Sequence, residues 1–164
     1  MFLPLYKTLV RPHLEYANCV WSPFLQMDIT RLEKVQRKAT KIIPSLADLP
    51  YTERLKELKL PTLSYRRVRG DMIQVFKIMN GMTDMNKYDL FEMKDVDINL
   101  RGHGQKIQKQ RARLNLRKAS FTHRVVDIWN LLPGAVVAAE TVNGFKNSFE
   151  KFYTKKHNKF TYGR

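Results

Sequence analysis

A chain of 164 residues with 30 Lys and Arg against 15 Asp and Glu carries a formal charge of +15, and 43% of it is hydrophobic. That apolar content supports a folded core and excludes disorder throughout, and the length suits one ordinary domain or two small ones. The charge excludes basic partners and points to polyanions, nucleic acid first, because so strong a field attracts phosphate backbones.

The opening MFLPLYKTLV has an apolar run broken by Pro4 and Lys7, too short for a secretory h-region. No run approaches the ~18 apolar residues that span a bilayer, so a soluble protein with no membrane partner is expected. Tyr6, Val10, Leu14, Ala17 and Trp21 recur at helical spacing and predict one apolar face. Pro12 is expected to kink that helix or split it near Arg11. Cys19, the single cysteine, cannot form an internal disulfide; it reads as a small hydrophobe and fits a reducing, intracellular setting, nuclear or cytoplasmic. Asp28 is placed to cap a helix whose apolar stripe is Leu32, Val35, Ala39 and Ile42, ending before Pro44. The other face of that helix carries Arg31, Lys34, Lys38 and Lys41.

Between Pro50 and Pro61, YTERLKELKL predicts a short helix pinned by a proline at each side. Tyr65, Val68, Met72, Val75, Phe76 and Met79 then follow the helical period, and Gly81 supplies the left-handed residue that closes many helices. These predict a helix from Leu63 to Asn80, with Arg66, Arg67 and Arg69 in its first two turns. From Met82 to Lys94 the period is lost, which places a boundary there and two domains at 1–81 and 82–164. Ile98 to Arg124 holds Arg101, Lys106, Lys109, Arg111, Arg113, Arg117, Lys118 and Arg124 without one acid. Its alternation, with Gly102 and Gly104 as turn residues, predicts short strands or a hairpin. Phe121, Val125, Ile128 and Leu132 form a helical stripe stopped by Pro133, with Trp129 as a packing group. Thr141 or Asn143 caps a last helix carrying Val142, Phe145, Phe149 and Phe152, and a polar tail follows. The expected fold is mainly α: a small helical bundle, then a basic loop or short hairpin and two further helices.

Residues for catalysis are scarce. A metal-dependent polymerase or nuclease needs two or more converging carboxylates, whereas Asp95 and Asp97 stand beside a basic loop with no partner motif, would point to opposite faces of an extended chain, and read as a solvated loop. Cys19, His13, His103, His123 and His157 show no paired zinc spacing. Ser120 and His123 have no nucleophile-elbow motif around them, and RGHGQK lacks the ending of a phosphate-binding loop. No catalytic residue, metal or cofactor is expected. What remains is a basic surface that holds nucleic acid, RNA, DNA or hybrid, by neutralising its backbone without reading sequence. The acid-free cations, Arg101, Lys106, Lys109, Arg111, Arg113, Arg117, Lys118 and Arg124, are the first candidate. Arg66, Arg67 and Arg69 are the second, and Lys34, Lys38 and Lys41 the third.

Several segments carry a resemblance. LYKTLVRPHLEYANCVWSP followed by LEKVQRKATKII, then RLKELKLPTLSYRRVRGDMIQVFKIMNG, then RGHGQKIQKQRARLNLRKASFTHRVVDIWNLLP with NGFKNSFEKF, occur in this order and cover nearly the whole chain. Together they resemble the C-terminal region of reverse transcriptases of non-LTR (LINE-type) retrotransposons. That resemblance implies a thumb-like helical bundle up to Gly81, lying against a primer and template duplex, and the element's C-terminal extension beyond it. Polymerisation in that family depends on palm carboxylates upstream of this region, and these residues do not include them. The resemblance therefore implies a nonenzymatic fragment of an RNA-directed DNA polymerase. A Cys/His knuckle that many members carry near the C-terminus is absent here. The alternative is a helical protein-interaction module, or a truncated element copy without a cellular role, with Trp21, Phe24 and Leu25 as an apolar face for another protein.

Overall fold

The computed structural model describes residues 2–94 and 102–160. It is mainly helical, and among the described residues the only β pairing is an isolated antiparallel bridge between Met93 and Ile107. In chain order the helices are α1 (Phe2–Leu5), α2 (Arg11–Glu15), α3 (Gln26–Lys41), α4 (Tyr51–Glu57), α5 (Leu63–Met79), α6 (Lys87–Leu90), α7 (Asn115–Ala119), α8 (Phe121–Arg124), α9 (Val126–Asn130), α10 (Gly134–Val137) and α11 (Val142–Lys156). The described chain gathers into two compact units, one of residues 2–18, 23–67 and 158–160, the other of 19–22, 68–94 and 102–157. Their boundary falls inside α5, whereas loss of periodicity suggests Gly81. The reason is that the second half of α5 supplies the core of the second unit.

In the first unit the sequence predicts an amphipathic helix kinked at Pro12 or split near Arg11, and the chain does break there, with a wide turn before a second helix that starts at Arg11. Tyr6–Val10 is π-helical, closed by the Arg11 amide donating to the Tyr6 carbonyl, before α2 begins with Pro12 in its first turn. A proline has no amide to continue an α ladder, and the wide turn absorbs that loss. The register shift breaks the expected face: Tyr6 is buried, while Val10 and Trp21 are exposed. Ala17, at φ 51°, then turns the chain away from helix.

α3 is also turned from its expected face. Its buried residues are Glu33, Gln36, Ala39 and Thr40, while Val35 is 38% and Ile42 62% exposed. Polar groups win the interior because each finds a partner. Tyr6 Oη donates to Gln36 Oε1 at 2.7 Å, and Gln36 Nε2 donates to Tyr51 Oη and the Pro61 carbonyl, both at 3.1 Å. Tyr51 Oη donates to Glu33 Oε1 at 2.6 Å, and the Leu63 amide to Glu33 Oε2 at 3.0 Å. Glu33 thus meets one of the unsatisfied amides at the start of α5, where a negative charge is favoured. Asp28 lies in the first turn of α3 and not at its cap, which is Leu25. Apolar packing in this unit centres on Tyr6, Ala39, Tyr51, Leu55 and Leu60, with Phe2, Leu3, Leu58 and Phe160 against them.

The second unit has the larger core. Met72, Val75, Phe76 and Met79 of α5 pack with Val126 and Trp129 of α9 and with Phe145 and Phe149 of α11. The Phe76 and Phe145 rings stack with centroids 4.4 Å apart. α5 ends as expected: Gly81 sits at φ 63°, and the amides of Gly81 and Met82 reach back to Ile78 and Lys77. Thr141 caps α11 by accepting from the Gly144 amide at 3.1 Å. The expected hairpin is not formed among the described residues, and its part at 98–101 lies outside them. Pairing is confined to the bridge between Met93 and Ile107, and Asn130 takes the other side of the Ile107 backbone, accepting from its amide at 2.9 Å and donating to its carbonyl at 2.8 Å.

Candidate nucleic-acid interface

Most of the cations singled out in the sequence fall into two groups, those consumed by the fold and those left at the surface. Arg124 of α8 is consumed. Its Nε and Nη2 donate to Asp71 Oδ2 and Oδ1 at 2.8 and 3.0 Å, and its Nη1 donates to the Ala119 carbonyl at 3.0 Å. The guanidinium also lies over the Phe121 ring, so the pair holds α5 and α8 together inside the second unit. Arg66 is likewise engaged, forking onto both oxygens of Glu15 with Nη2 2.7 Å from Oε2. Arg67 is 6% exposed and donates to the Leu14 carbonyl at 3.0 Å. Arg69 is half-buried on α5. Arg124, Arg66 and Arg67 support the fold, and their donors are directed inward.

Lys109 pairs with Asp127 across an exposed surface, the side chains being 52% and 62% accessible. Such a pair is worth about 0 to 1 kcal/mol and opens readily to a competing phosphate. Lys106 is half-buried beside Gly102, and Arg101 lies outside the described residues. Arg111, Arg113, Arg117 and Lys118 are exposed, on the irregular run that leads into α7 and along α7 itself. Arg117 donates to Gln110 Oε1 at 3.1 Å, and no acid pairs with these four among the described residues. On α3 Lys34, Lys38 and Lys41 are exposed in the same way. Lys38 and Lys41 occupy the last turn of that helix, where they also oppose the negative end of its dipole.

Each unit thus keeps one set of exposed cations that no acid pairs among the described residues. A shallow depression of about 510 Å³ beside the basic run is lined by Asp89 and Glu92 as well as Tyr88 and Gln110, so its carboxylates disfavour a polyanion. Among the described residues no three His, Cys, Asp or Glu side chains cluster as metal ligands would.

Some residues take roles that the sequence did not give them. His103 donates from Nε2 to the Trp129 carbonyl at 3.0 Å, and Trp129 Nε1 donates to the Gln105 carbonyl at 2.7 Å. Burial pulls the His103 ring below the usual histidine range, which keeps it neutral. Together with Asn130, these bonds fasten the 103–107 loop onto α9. Tyr51, Arg37 and Arg54 form a second unmarked cluster, both guanidinium groups lying over the Tyr51 ring. An Arg within a short amphipathic helix gives no sequence signal that its head is buried.

No family model, curated protein or solved structure matches the chain.

Proposed function

We propose that this chain is the thumb and post-thumb part of a non-LTR retrotransposon reverse transcriptase, and that it binds nucleic acid through its backbone without reading sequence and without catalysing a reaction. The observation that carries the binding is the partition of its charge. Arg111, Arg113, Arg117 and Lys118 in one unit and Lys34, Lys38 and Lys41 in the other stay exposed and face no acid among the described residues. Exposed cations of this kind neutralise phosphates and release counterions, a gain that depends on salt and hardly on base identity. The motif resemblance supplies the parent family and the expected partner, a duplex or single strand of RNA, DNA or hybrid.

The test replaces Arg111, Arg113, Arg117 and Lys118 together by Gln, which keeps polarity and removes the charge. Log affinity for a short duplex, plotted against log salt, should flatten by up to ~0.7 to 0.9 for each phosphate left without its cation, equally for sequences of similar shape. Wild-type affinity and slope in a variant that remains folded by circular dichroism overturns the reading. Weakened binding confined to one sequence overturns its independence of sequence.

One observation favours the second reading, a protein-interaction module. Leu9, Phe24, Leu25 and Met27 are exposed in the first unit, as is Trp21 in the second, and large apolar side chains left in water mark partner surfaces when they gather. Concentration-dependent self-association of the quadruple variant, with no nucleic-acid binding by the wild type, would favour it.

A further inference from the structure

Arg54 is a buried cation with idle donors. It is 4% exposed, yet its Nε and Nη1 find no hydrogen-bond acceptor among the described residues. Among the described residues no carboxylate lies within ion-pair distance of it. The nearby buried acid is already committed: Glu33 accepts from Tyr51 Oη on one oxygen and from the Leu63 amide on the other, and the cation that acts on it is Arg67. Arg54 and Arg37 both lie over the Tyr51 ring, 5.7 and 5.1 Å from its centroid. The ring face offsets part of the Arg54 charge, but among the described residues its Nε and Nη1 still lack an acceptor. A buried cation with idle donors is strongly destabilising unless something anionic completes it, and each such group in a native fold calls for a specific occupant.

We propose that Arg54, with Arg37 beside it on the Tyr51 ring, forms a seat for a phosphate group. Water would satisfy a donor but leave the charge uncompensated, whereas a phosphate oxygen does both. The planar fork of arginine matches two phosphate oxygens through parallel hydrogen bonds, a geometry that lysine lacks. The surroundings lead a phosphate there. Arg37 is one helical turn from Lys34 and from Lys41 on α3, so the seat adjoins the exposed lysine face of the first unit. The phosphate comes either free in solution or as a phosphodiester of a bound strand. The seat stands without the nucleic-acid reading and can fail separately from it.

The test is thermal unfolding of the whole chain titrated with inorganic phosphate, at ionic strength held constant with chloride. A ligand that binds only the folded state raises the midpoint progressively with its concentration. Wild type should show a phosphate-specific rise, and Arg54→Met, which fills similar space without charge, should lose it. A short duplex oligonucleotide separates the sources. If a strand phosphate occupies the seat, Arg54→Met weakens oligonucleotide binding and inorganic phosphate competes with it; if free phosphate is the ligand, oligonucleotide binding is unchanged. Should Arg54→Met not fold, the Arg54 Nε–H resonance of the wild type, identified by its absence from Arg54→Lys, must move on adding phosphate. A wild-type midpoint that responds equally to phosphate and chloride, a full response in Arg54→Met, or an unmoved Arg54 resonance each overturns the proposal.

Discussion

Asp71→Ala should cost far more than one ordinary hydrogen bond. The two Arg124 nitrogens sit 2.8 and 3.0 Å from the two Asp71 oxygens, with the side chains 18% and 7% accessible. Water therefore reaches the arginine only partly and the aspartate hardly at all. Removing the carboxylate takes from the guanidinium the bidentate partner that it meets on α5, and breaking such a pair costs about 3 to 5 kcal/mol, at the lower end here because Arg124 keeps some access to water and still donates to Ala119. Replacing both residues by apolar groups, Asp71→Leu with Arg124→Met, should recover most of that loss, since no charge is then stranded. Urea unfolding of the two single variants and the double variant gives a double-mutant cycle with a coupling of at least ~1 kcal/mol. The coupling should survive salt at about 0.5 M, because a buried pair is weakly screened. Additive single costs, or a coupling that salt abolishes, would show that the pair is a surface contact and that α8 is held by packing alone.

Phe76, fully buried and stacked on Phe145, should lose about 3 to 5 kcal/mol on substitution by Ala, read as a lower urea midpoint with an unchanged slope. The two helix ends that use positive φ should answer oppositely: Lys59 at 51° and Gly81 at 63° occupy equivalent closing positions, so Lys59→Gly gains up to about 1 kcal/mol and Gly81→Ala loses about as much. Burial holds the Glu33 carboxyl above the ordinary glutamate range. The folded state therefore binds its proton more tightly than the unfolded chain, and this contribution is fully present below the unfolded pKa and lost as pH rises through the folded one. The stability difference between wild type and Glu33→Gln should accordingly shift against the wild type as pH is raised from about 4 toward 7, and a flat difference refutes the burial of that charge.

How far the sequence could be read depended on the distance over which each decision is made. α5 was legible because its core residues repeat at helical spacing and a glycine follows at the point of closure. The rotation of α3 was not, since Glu33 and Gln36 are drawn inward by Tyr6, Tyr51 and the α5 amide, which lie up to 30 residues away. The first apolar stripe failed for a local reason, because a π turn shifts register and leaves no trace in a pattern counted at α spacing. Among the candidate cations, the acid-free run at Arg111 to Lys118 was visible directly. Which arginines the fold consumes was not, because Arg66 and Arg124 meet their acids across 51 and 53 residues.

Charge placement also explains how a chain of +15 stays folded while leaving other cations exposed. Repulsion among so many cations opposes compaction, and the fold relieves it where distant segments meet, at Arg124 with Asp71 and at Arg66 with Glu15. Those pairs need one residue at one place, because a bidentate fork tolerates little displacement. The same holds for Asn130 against Ile107 and for His103 against Trp129. Arg111, Arg113, Arg117 and Lys118 fall between these fixed points, and a phosphate backbone makes a looser demand on them. It requires cation density along a surface, and a lysine or arginine one position away serves almost equally well. Structural arginines should therefore tolerate neither lysine nor displacement, whereas the exposed cations should tolerate both.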